Sequence, residues 1–239
     1  MSRRLRVESL PSAPTTLSQR PPLPPADFPD PIERLIPFGS VCTLSGASGV
    51  GKTSFCASVI LTAINTGEPL FGYPTHKPPE IGMIVCDRPW RDHAAWFARA
   101  GCPEPKHLSL RYTPDYKWEG LRNPHTVQAE FDRLLGLLDL PPGSLLLVDP
   151  LPLFIPGRLI DYKDVAIGLG LIDQVIQRHQ LTLLGVFHVS KQKADKNTRY
   201  LRPQDRILGS SGLIGYSETA FYLLSPEETE QPTYELGAI

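Results

Sequence analysis

Cysteine is scarce in this sequence, and its few cysteines follow no metal-binding spacing. Four occur in 239 residues, without a CxxC pair or a Cys/His pair at zinc spacing. This argues against a zinc-binding module and is typical of reduced, mostly buried thiols. We therefore expect a cytoplasmic protein without zinc.

Long hydrophobic runs are also missing. The most apolar stretch, SLLLVDPLPLFIPG, is interrupted by Asp149 and three prolines. The basic start, MSRRLRVESLPSAP, has no apolar segment behind it. We expect no membrane partner and no export signal.

Net charge is low as well, at −1 with an isoelectric point of about 6.6. A bulk electrostatic field that attracts nucleic acid is therefore excluded. Any nucleic-acid binding must come from a local basic patch.

What the sequence does contain is a phosphate-binding loop, SGASGVGKTS. Gly46 is followed by four free positions and then by Gly51, Lys52 and Thr53, the spacing at which backbone N–H groups cradle phosphates. Lys52 can reach the β- and γ-phosphates in a catalytic role, and the Thr53 hydroxyl can bind Mg²⁺. The residues expected to bind ATP are Gly46, Ala47, Ser48, Gly49, Val50, Gly51, Lys52, Thr53 and Ser54.

Strand-forming and helical stretches alternate after this loop. The predicted strands are 40–45, 81–86, 108–112, 144–149 and 181–187, and the predicted helices are 52–65, 90–100, 125–138 and 163–179. Near-continuous apolar strands imply an α/β fold, a mostly parallel twisted sheet with helices on both faces. Ligands of such sheets bind at the carboxyl ends of the strands.

Two polar residues at predicted strand ends suit work on a bound nucleotide. Asp149 ends a fully apolar strand and can hold the water shell of the Mg²⁺ at Thr53, although it could instead cap the following turn. His188 ends the next strand, where it can contact the γ-phosphate and report its loss.

A third strand end carries Asp87, on the strand that follows the phosphate-loop helix. This carboxylate could orient and polarise the attacking water, which makes it the catalytic candidate. A capping or ion-paired role beside Arg88 and Arg91 is the alternative.

Several classes of phosphate-loop protein are disfavoured by absent motifs. No Asn-Lys-x-Asp stretch, no LSGGQ-like signature and no obvious Arg-rich lid after Asp149 is present. These three absences argue against assignment as a GTPase, a transporter-type ATPase and a small-molecule kinase, respectively.

The ordered set GASGVGKTS, IVCDRPW, LLLVDPLPLF, FHVSK and ILGSSGLIGYSETAFYLL resembles the RecA-like ATPases of the RepA and DnaB hexameric helicase group, especially short RepA-type proteins of plasmids and phages. The resemblance implies a RecA-like ATPase domain at 33–225, with 226–239 as a tail. It also implies ATP and Mg²⁺ as cofactors, a hexameric ring of identical subunits, and single-stranded DNA in the central channel.

The resemblance also carries residue roles, with two departures. It places Asp87 where the family has a catalytic Glu, and the shorter side chain predicts slow turnover. Glu218 stands where the family often has an arginine finger, and Arg206, or Arg202, is a candidate substitute. Asp149 takes the Walker B position and His188 the γ-phosphate sensor position.

The segment KQKADKNTRYLRPQDR, residues 191–206, is the main DNA-binding candidate. Its six basic residues against two acidic ones give a local charge of +4. A basic loop with an aromatic residue can neutralise phosphates and stack on a base, although a solvated surface loop has the same composition. A weaker second candidate is IPGRLIDYK. The expected DNA-binding residues are Lys191, Lys193, Lys196, Arg199, Tyr200 and Arg202.

Residues 1–32 hold eight of the 26 prolines, which predicts an extended or disordered arm. The arm could instead dock on a neighbouring subunit or on a replication or recombination protein.

The leading hypothesis is a RepA-like replicative helicase, a ring-forming motor on single-stranded DNA. A recombination or annealing protein without unwinding, or an ATP-gated regulatory module with weak hydrolysis, remains open.

Overall fold

A computed structural model describes residues 28–99, 101–102, 104–110, 124–159, 161–188, 213, 216–223 and 236–238. The strands are β1 Val41–Gly46, β2 Ile81–Val85, β3 Lys106–Ser109, β4 Leu145–Asp149, β5 Thr182–His188, β6 Thr219–Leu223 and β7 Leu236–Ala238. The helices are α1 Lys52–Phe55, α2 Leu61–Thr66, α3 Trp90–Arg99, α4 Pro124–Leu138 and α5 Tyr162–His179. A π-helical segment, Cys56–Ile60, joins α1 to α2, and a 3₁₀ turn, Leu151–Phe154, follows β4.

The strands form one sheet in the order β3-β2-β4-β5-β1-β6-β7. The first six strands in this order are parallel, and β7 pairs antiparallel with β6. The predicted α/β class with a mostly parallel sheet is therefore confirmed. Because the strands are parallel, the loops after β1, β2, β4 and β5 all leave the same edge of the sheet.

Both faces of the sheet are covered, which explains why the central strands are apolar throughout. On one face, α4 and α5 pack a core that includes Phe131, Phe154 and Ile172. On the other face, the α1–α2 helix and α3 pack a second core that includes Ile64 and Phe97. The buried apolar side chains of the central strands therefore enter one core or the other.

The predicted strands and helices correspond to observed elements, with small differences at the ends. β3 begins two residues before the predicted strand and ends three residues before its end. The helix predicted at 52–65 is interrupted by the π-helical segment, because a local i→i+5 hydrogen-bond pattern leaves no signature in apolar spacing. β6 and β7 were not among the predicted strands.

The predicted domain boundaries remain predictions, since most of the arm and of the tail lies outside the described residues. Ile32, the last residue of the predicted arm, is fully buried and forms isolated bridges with Ile36 and Thr75. Within the described residues, no helix is long and apolar enough to cross a membrane. The same part of the chain contains no cluster of His, Cys, Asp and Glu suited to a metal ion.

Candidate nucleotide-binding site

The glycine-rich loop connects the carboxyl end of β1 to the start of α1, as the spacing predicts. Gly49 and Gly51 have φ angles of 83° and 94°, in the left-handed region that favours glycine. A Cβ atom on Gly46 would lie 2.6 Å from the carbonyl oxygen of Leu223, so the β1–β6 contact leaves no room for a side chain. The loop conformation therefore depends on these glycines.

Lys52, the first residue of α1, is buried against the phosphate loop. Its Nζ donates hydrogen bonds to the carbonyl oxygens of Gly46 and Ala47 at 2.9 and 2.8 Å. Burial lowers the pKa of the Lys52 ammonium to about 8, although the carboxylate of Asp149 opposes that shift. These carbonyl oxygens are neutral and therefore accept hydrogen bonds less strongly than anionic phosphate oxygens, which can replace them as partners of the ammonium.

Thr53 and Asp149 meet at the centre of this edge of the sheet. The Thr53 hydroxyl donates to Oδ2 of Asp149 at 2.5 Å. Asp149 is fully buried, and burial raises the pKa of its carboxyl to about 6, while the Thr53 hydrogen bond lowers it. The alternative role of Asp149 as a cap of the following turn is not supported by any hydrogen bond among the described residues.

The donor atoms here fit a magnesium ion. Oδ1 of Asp149 is buried and has no hydrogen-bond partner within the described part of the chain. Together with the Thr53 hydroxyl it offers only oxygen atoms, the ligands that Mg²⁺ prefers. Thr53 and Asp149 are therefore suited to hold Mg²⁺, directly or through its water shell.

Asp87 leaves the same edge from the neighbouring strand. β2 pairs with β4 so that Val85 lies opposite Asp149, and Asp87 follows two residues later. The negative charge of Asp87 contributes to raising the pKa values of both Asp149 and Lys52, so the three groups share one electrostatic environment. About a third of the Asp87 side chain is exposed, with the Nε atom of Arg88 at 3.9 Å.

The alternative role of Asp87, an ion pair with Arg88 or Arg91, has limited support in the structure. Its contact with Arg88 is long and exposed, the kind of pair that contributes little stability. Arg91 points instead to Asp92, at 3.6 Å.

The strand that ends at His188 lies at the centre of the site. β5 lies between β4 and β1, and His188 stands opposite Gly46 in the register. The backbone of His188 is thus beside the first glycine of the phosphate loop, whereas its side chain is outside the described residues. Outside them as well lie the basic segment 191–206 and, in it, Arg206.

Glu218 lies at the opposite edge of the sheet. Its backbone N–H donates to the carbonyl of Val41, at the amino end of β1, and its side chain is exposed. The residue is therefore at the opposite end of β1 from the phosphate loop of its own chain.

His93 is a residue near the site that the sequence did not indicate. It lies on α3 with no exposed surface, and its Nε2 atom is 4.0 Å from Oδ1 of Asp87. Neither of its ring nitrogens has a hydrogen-bond partner within the described residues. A lone histidine six residues after Asp87 belongs to no motif, so no sequence pattern indicates that the two side chains meet.

Sequence comparison finds one family, described as AAA domain, that matches residues 7–194. No curated protein matches the chain.

Structure comparison finds similar solved structures, including an archaeal protein and a helicase. A KaiC-like protein from Pyrococcus horikoshii is similar with a TM-score of 0.47 and 15% identity, over 90% of this chain and 85% of that one. A DnaB-like replicative helicase, solved to study its interactions with primase, has a TM-score of 0.50 and 10% identity over 84% of this chain. This chain covers 54% of the helicase, about half its length. The predicted RecA-like fold, of the type found in DnaB-like proteins, is confirmed.

Proposed function

The chain belongs to the AAA domain family of ATPases, and from this premise we propose that it is a ring-forming ATPase that acts on single-stranded DNA, as a RepA-like replicative helicase does. The family supports nucleotide binding and ATP hydrolysis. The assembly, the DNA and the helicase activity are the finer parts of the proposal, and the site residues named below are part of it.

One observation carries the proposal. Four neighbouring parallel strands deliver a phosphate loop, Asp87, Asp149 and the His188 backbone to one edge of the sheet. Phosphoryl transfer needs little more than a positioned phosphate, a metal site and a group that orients water. This edge offers a candidate for each.

The roles follow from the contacts. The loop N–H groups and Lys52 would bind the phosphates, with the ammonium exchanging the Gly46 and Ala47 carbonyls for phosphate oxygens. Mg²⁺, when bound, neutralises charge that develops on the phosphates, and Thr53 with Asp149 would hold it. Asp87 would orient the attacking water from the exposed side of the site.

The connection to DNA runs along β5. The strand ends at His188, three residues before the basic segment 191–206, whose net charge of +4 suits a polyanion. If His188 contacts the γ-phosphate, ATP and its products would favour different arrangements of the segment. A ligand shifts a conformational equilibrium only when it binds the two conformations with different affinity. The contact of His188 with the γ-phosphate would supply that difference and would couple ATP hydrolysis to the affinity of the segment for DNA.

The DnaB-like match suggests the biological setting but covers only part of that helicase. That protein is a replicative helicase that interacts with primase. A comparable setting for this chain, with identical subunits in a hexamer and the N-terminal arm as a protein-binding segment, belongs to the proposal.

A second function, an ATP-gated assembly module with weak hydrolysis, is favoured by two observations. Asp87 is one methylene shorter than Glu, and its Oδ1 atom lies 4.0 Å from Nε2 of His93. Glu218 occupies the family's arginine-finger position with a charge that would repel a neighbour's nucleotide. Such a module would hydrolyse ATP slowly and without regard to DNA. Annealing without unwinding would share the DNA dependence of the motor but would leave a forked duplex intact.

The deciding experiment is steady-state ATP hydrolysis by the purified full chain, with and without single-stranded DNA, at several protein concentrations. The motor predicts DNA stimulation that rises steeply with protein concentration, because sites shared between subunits need assembly. The Lys52→Ala variant is the control for contaminating ATPases. A slow rate indifferent to DNA would favour the assembly module, and stimulation without separation of a forked duplex would favour annealing.

A further inference from the structure

The fully buried imidazole of His93 is the polar group near the site that the roles above leave unused. Its Nε2 atom faces Oδ1 of Asp87 at 4.0 Å, about 1 Å beyond hydrogen-bond distance. Both ring nitrogens lack a hydrogen-bond partner within the described residues. A buried polar group left unpaired costs about 1–3 kcal/mol, so its retention calls for a reason.

The ring is held in place by aromatic neighbours. Trp90 lies parallel to it, with ring centroids 6.0 Å apart, and Trp96 meets it edge-on at 5.2 Å. The guanidinium of Arg88 lies 5.6 Å from the centroid of Trp96. These aromatic contacts leave the imidazole little freedom, and about a third of the Asp87 side chain is exposed.

The imidazole is neutral at physiological pH. Burial lowers the pKa of His93 to about 4, and Arg88 and His107 act in the same direction, while Asp87 and Asp92 oppose the shift. A neutral imidazole carries one N–H donor and one acceptor nitrogen. With Nε2 toward a carboxylate, the tautomer that makes a bond is the one protonated at Nε2.

We propose that His93 is a positioning residue for Asp87, donating its Nε2–H to Oδ1 of Asp87 when nucleotide closes the site and so fixing the direction of the other carboxylate oxygen. This inference rests on the proposed role of Asp87 in orienting water. Catalytic hydrogen bonds are often long without substrate and tighten when it binds. A fixed carboxylate would matter most where the side chain is short, as it is here.

Three variants of the full chain separate positioning from packing. In His93→Gln the side-chain amide nitrogen can take the place of Nε2, in His93→Asn it can take only that of Nδ1, and His93→Phe keeps an aromatic ring without a donor. We expect kcat for ATP to fall by about 10- to 100-fold in the Asn and Phe variants, with KM changed less than about twofold. The Gln variant should recover most of the rate.

Thermal unfolding of each variant and a double-variant cycle with Asp87→Asn complete the kinetic test. In the Asp87→Asn background, losing the His93 donor should cost little further rate, because the group it orients is gone. Equal rate losses in all three variants that follow their melting temperatures, or losses that add fully to that of Asp87→Asn, would overturn the proposal and make His93 a packing residue.

A second readout does not depend on turnover. Nitrogen-15 NMR of the imidazoles, with Mg²⁺ and the non-hydrolysable analogue AMP-PNP, should show His93 neutral and protonated at Nε2, with shifts that move in Asp87→Ala. The His93→Gln spectrum identifies the signal. Protonation at Nδ1, or shifts indifferent to Asp87→Ala, would contradict the pairing. A wild-type chain that shows the pairing but hydrolyses no ATP would instead refute the proposed function.

Discussion

The Thr53 hydroxyl donates a 2.5 Å hydrogen bond to the Asp149 carboxylate across 96 positions of sequence. The bond joins the start of the phosphate-loop helix to the end of β4. It also satisfies one oxygen of a carboxylate that is otherwise buried without a partner in the described residues. The site is thus assembled by the fold, with an electrostatic cost that a cation can relieve.

Replacing Asp149 with Asn should stabilise the nucleotide-free protein at pH 8. Burial raises the pKa of Asp149 from 3.8 to about 6 in the folded protein. The folded protein is therefore most stable below pH 3.8, where Asp149 is protonated in both states, and it loses stability as pH rises through about 6. The difference corresponds to at most about 3 kcal/mol. Urea unfolding in EDTA should show a gain of about 1–3 kcal/mol at pH 8 that shrinks at pH 5. A loss of stability at pH 8 would mean that the carboxylate is stabilising rather than strained.

ATP affinity should decline as pH rises above about 8. Burial lowers the pKa of Lys52 to about 8 in the free protein, whereas bound phosphate would raise it again. ATP binding in alkaline solution would therefore take up a proton, and the affinity would fall by up to about tenfold per pH unit. Calorimetry in two buffers of different ionisation enthalpy measures this uptake. Lys52→Arg keeps its charge throughout, so weaker but pH-independent binding is expected; a flat profile in the wild type would contradict the assignment.

Asp87→Asn should keep ATP binding and lose hydrolysis. The amide occupies the same space but cannot accept a proton or attract the water as strongly, which costs about 100-fold or more in kcat. Steady-state turnover and nucleotide binding together measure the two effects. Asp92→Asn is the matched control, because it removes the same charge from the first turn of α3. Unchanged turnover in Asp87→Asn would make this residue structural.

Neutralising Lys193, Lys196, Arg199 and Arg202 together should weaken binding to single-stranded DNA and flatten its dependence on salt. Four lost phosphate contacts would reduce the slope of log K against log salt by about 3. Fluorescence anisotropy at several salt concentrations gives the slope. The matched control neutralises four exposed cations elsewhere, Arg34, Lys77, Arg91 and Arg99. Equal slopes in the variant and the wild type would place the DNA site elsewhere, with Arg158 and Lys163 as the next residues to test.

Local patterns in the sequence predicted much of this fold. The glycine spacing around Lys52 and the apolar run before Asp149 depend on neighbouring residues, and each was found at the end of its strand. β6 escaped prediction because a five-residue buried strand carries little periodicity. The π-helical segment escaped for a similar reason, since apolar spacing does not distinguish it from an α-helix.

The sequence by itself determined the phosphate loop, the α/β class and which polar residues end the apolar strands, because short-range spacing and composition dictate these features. Only the tertiary structure decided that β5 lies between β4 and β1, that Thr53 bonds to Asp149, and that His93 faces Asp87. The first two of these relationships join distant parts of the chain, and they form because both faces of the sheet must be buried together. His93 and Asp87 are only six residues apart, but no motif indicates their contact. No local pattern encodes which distant residues that burial brings into contact.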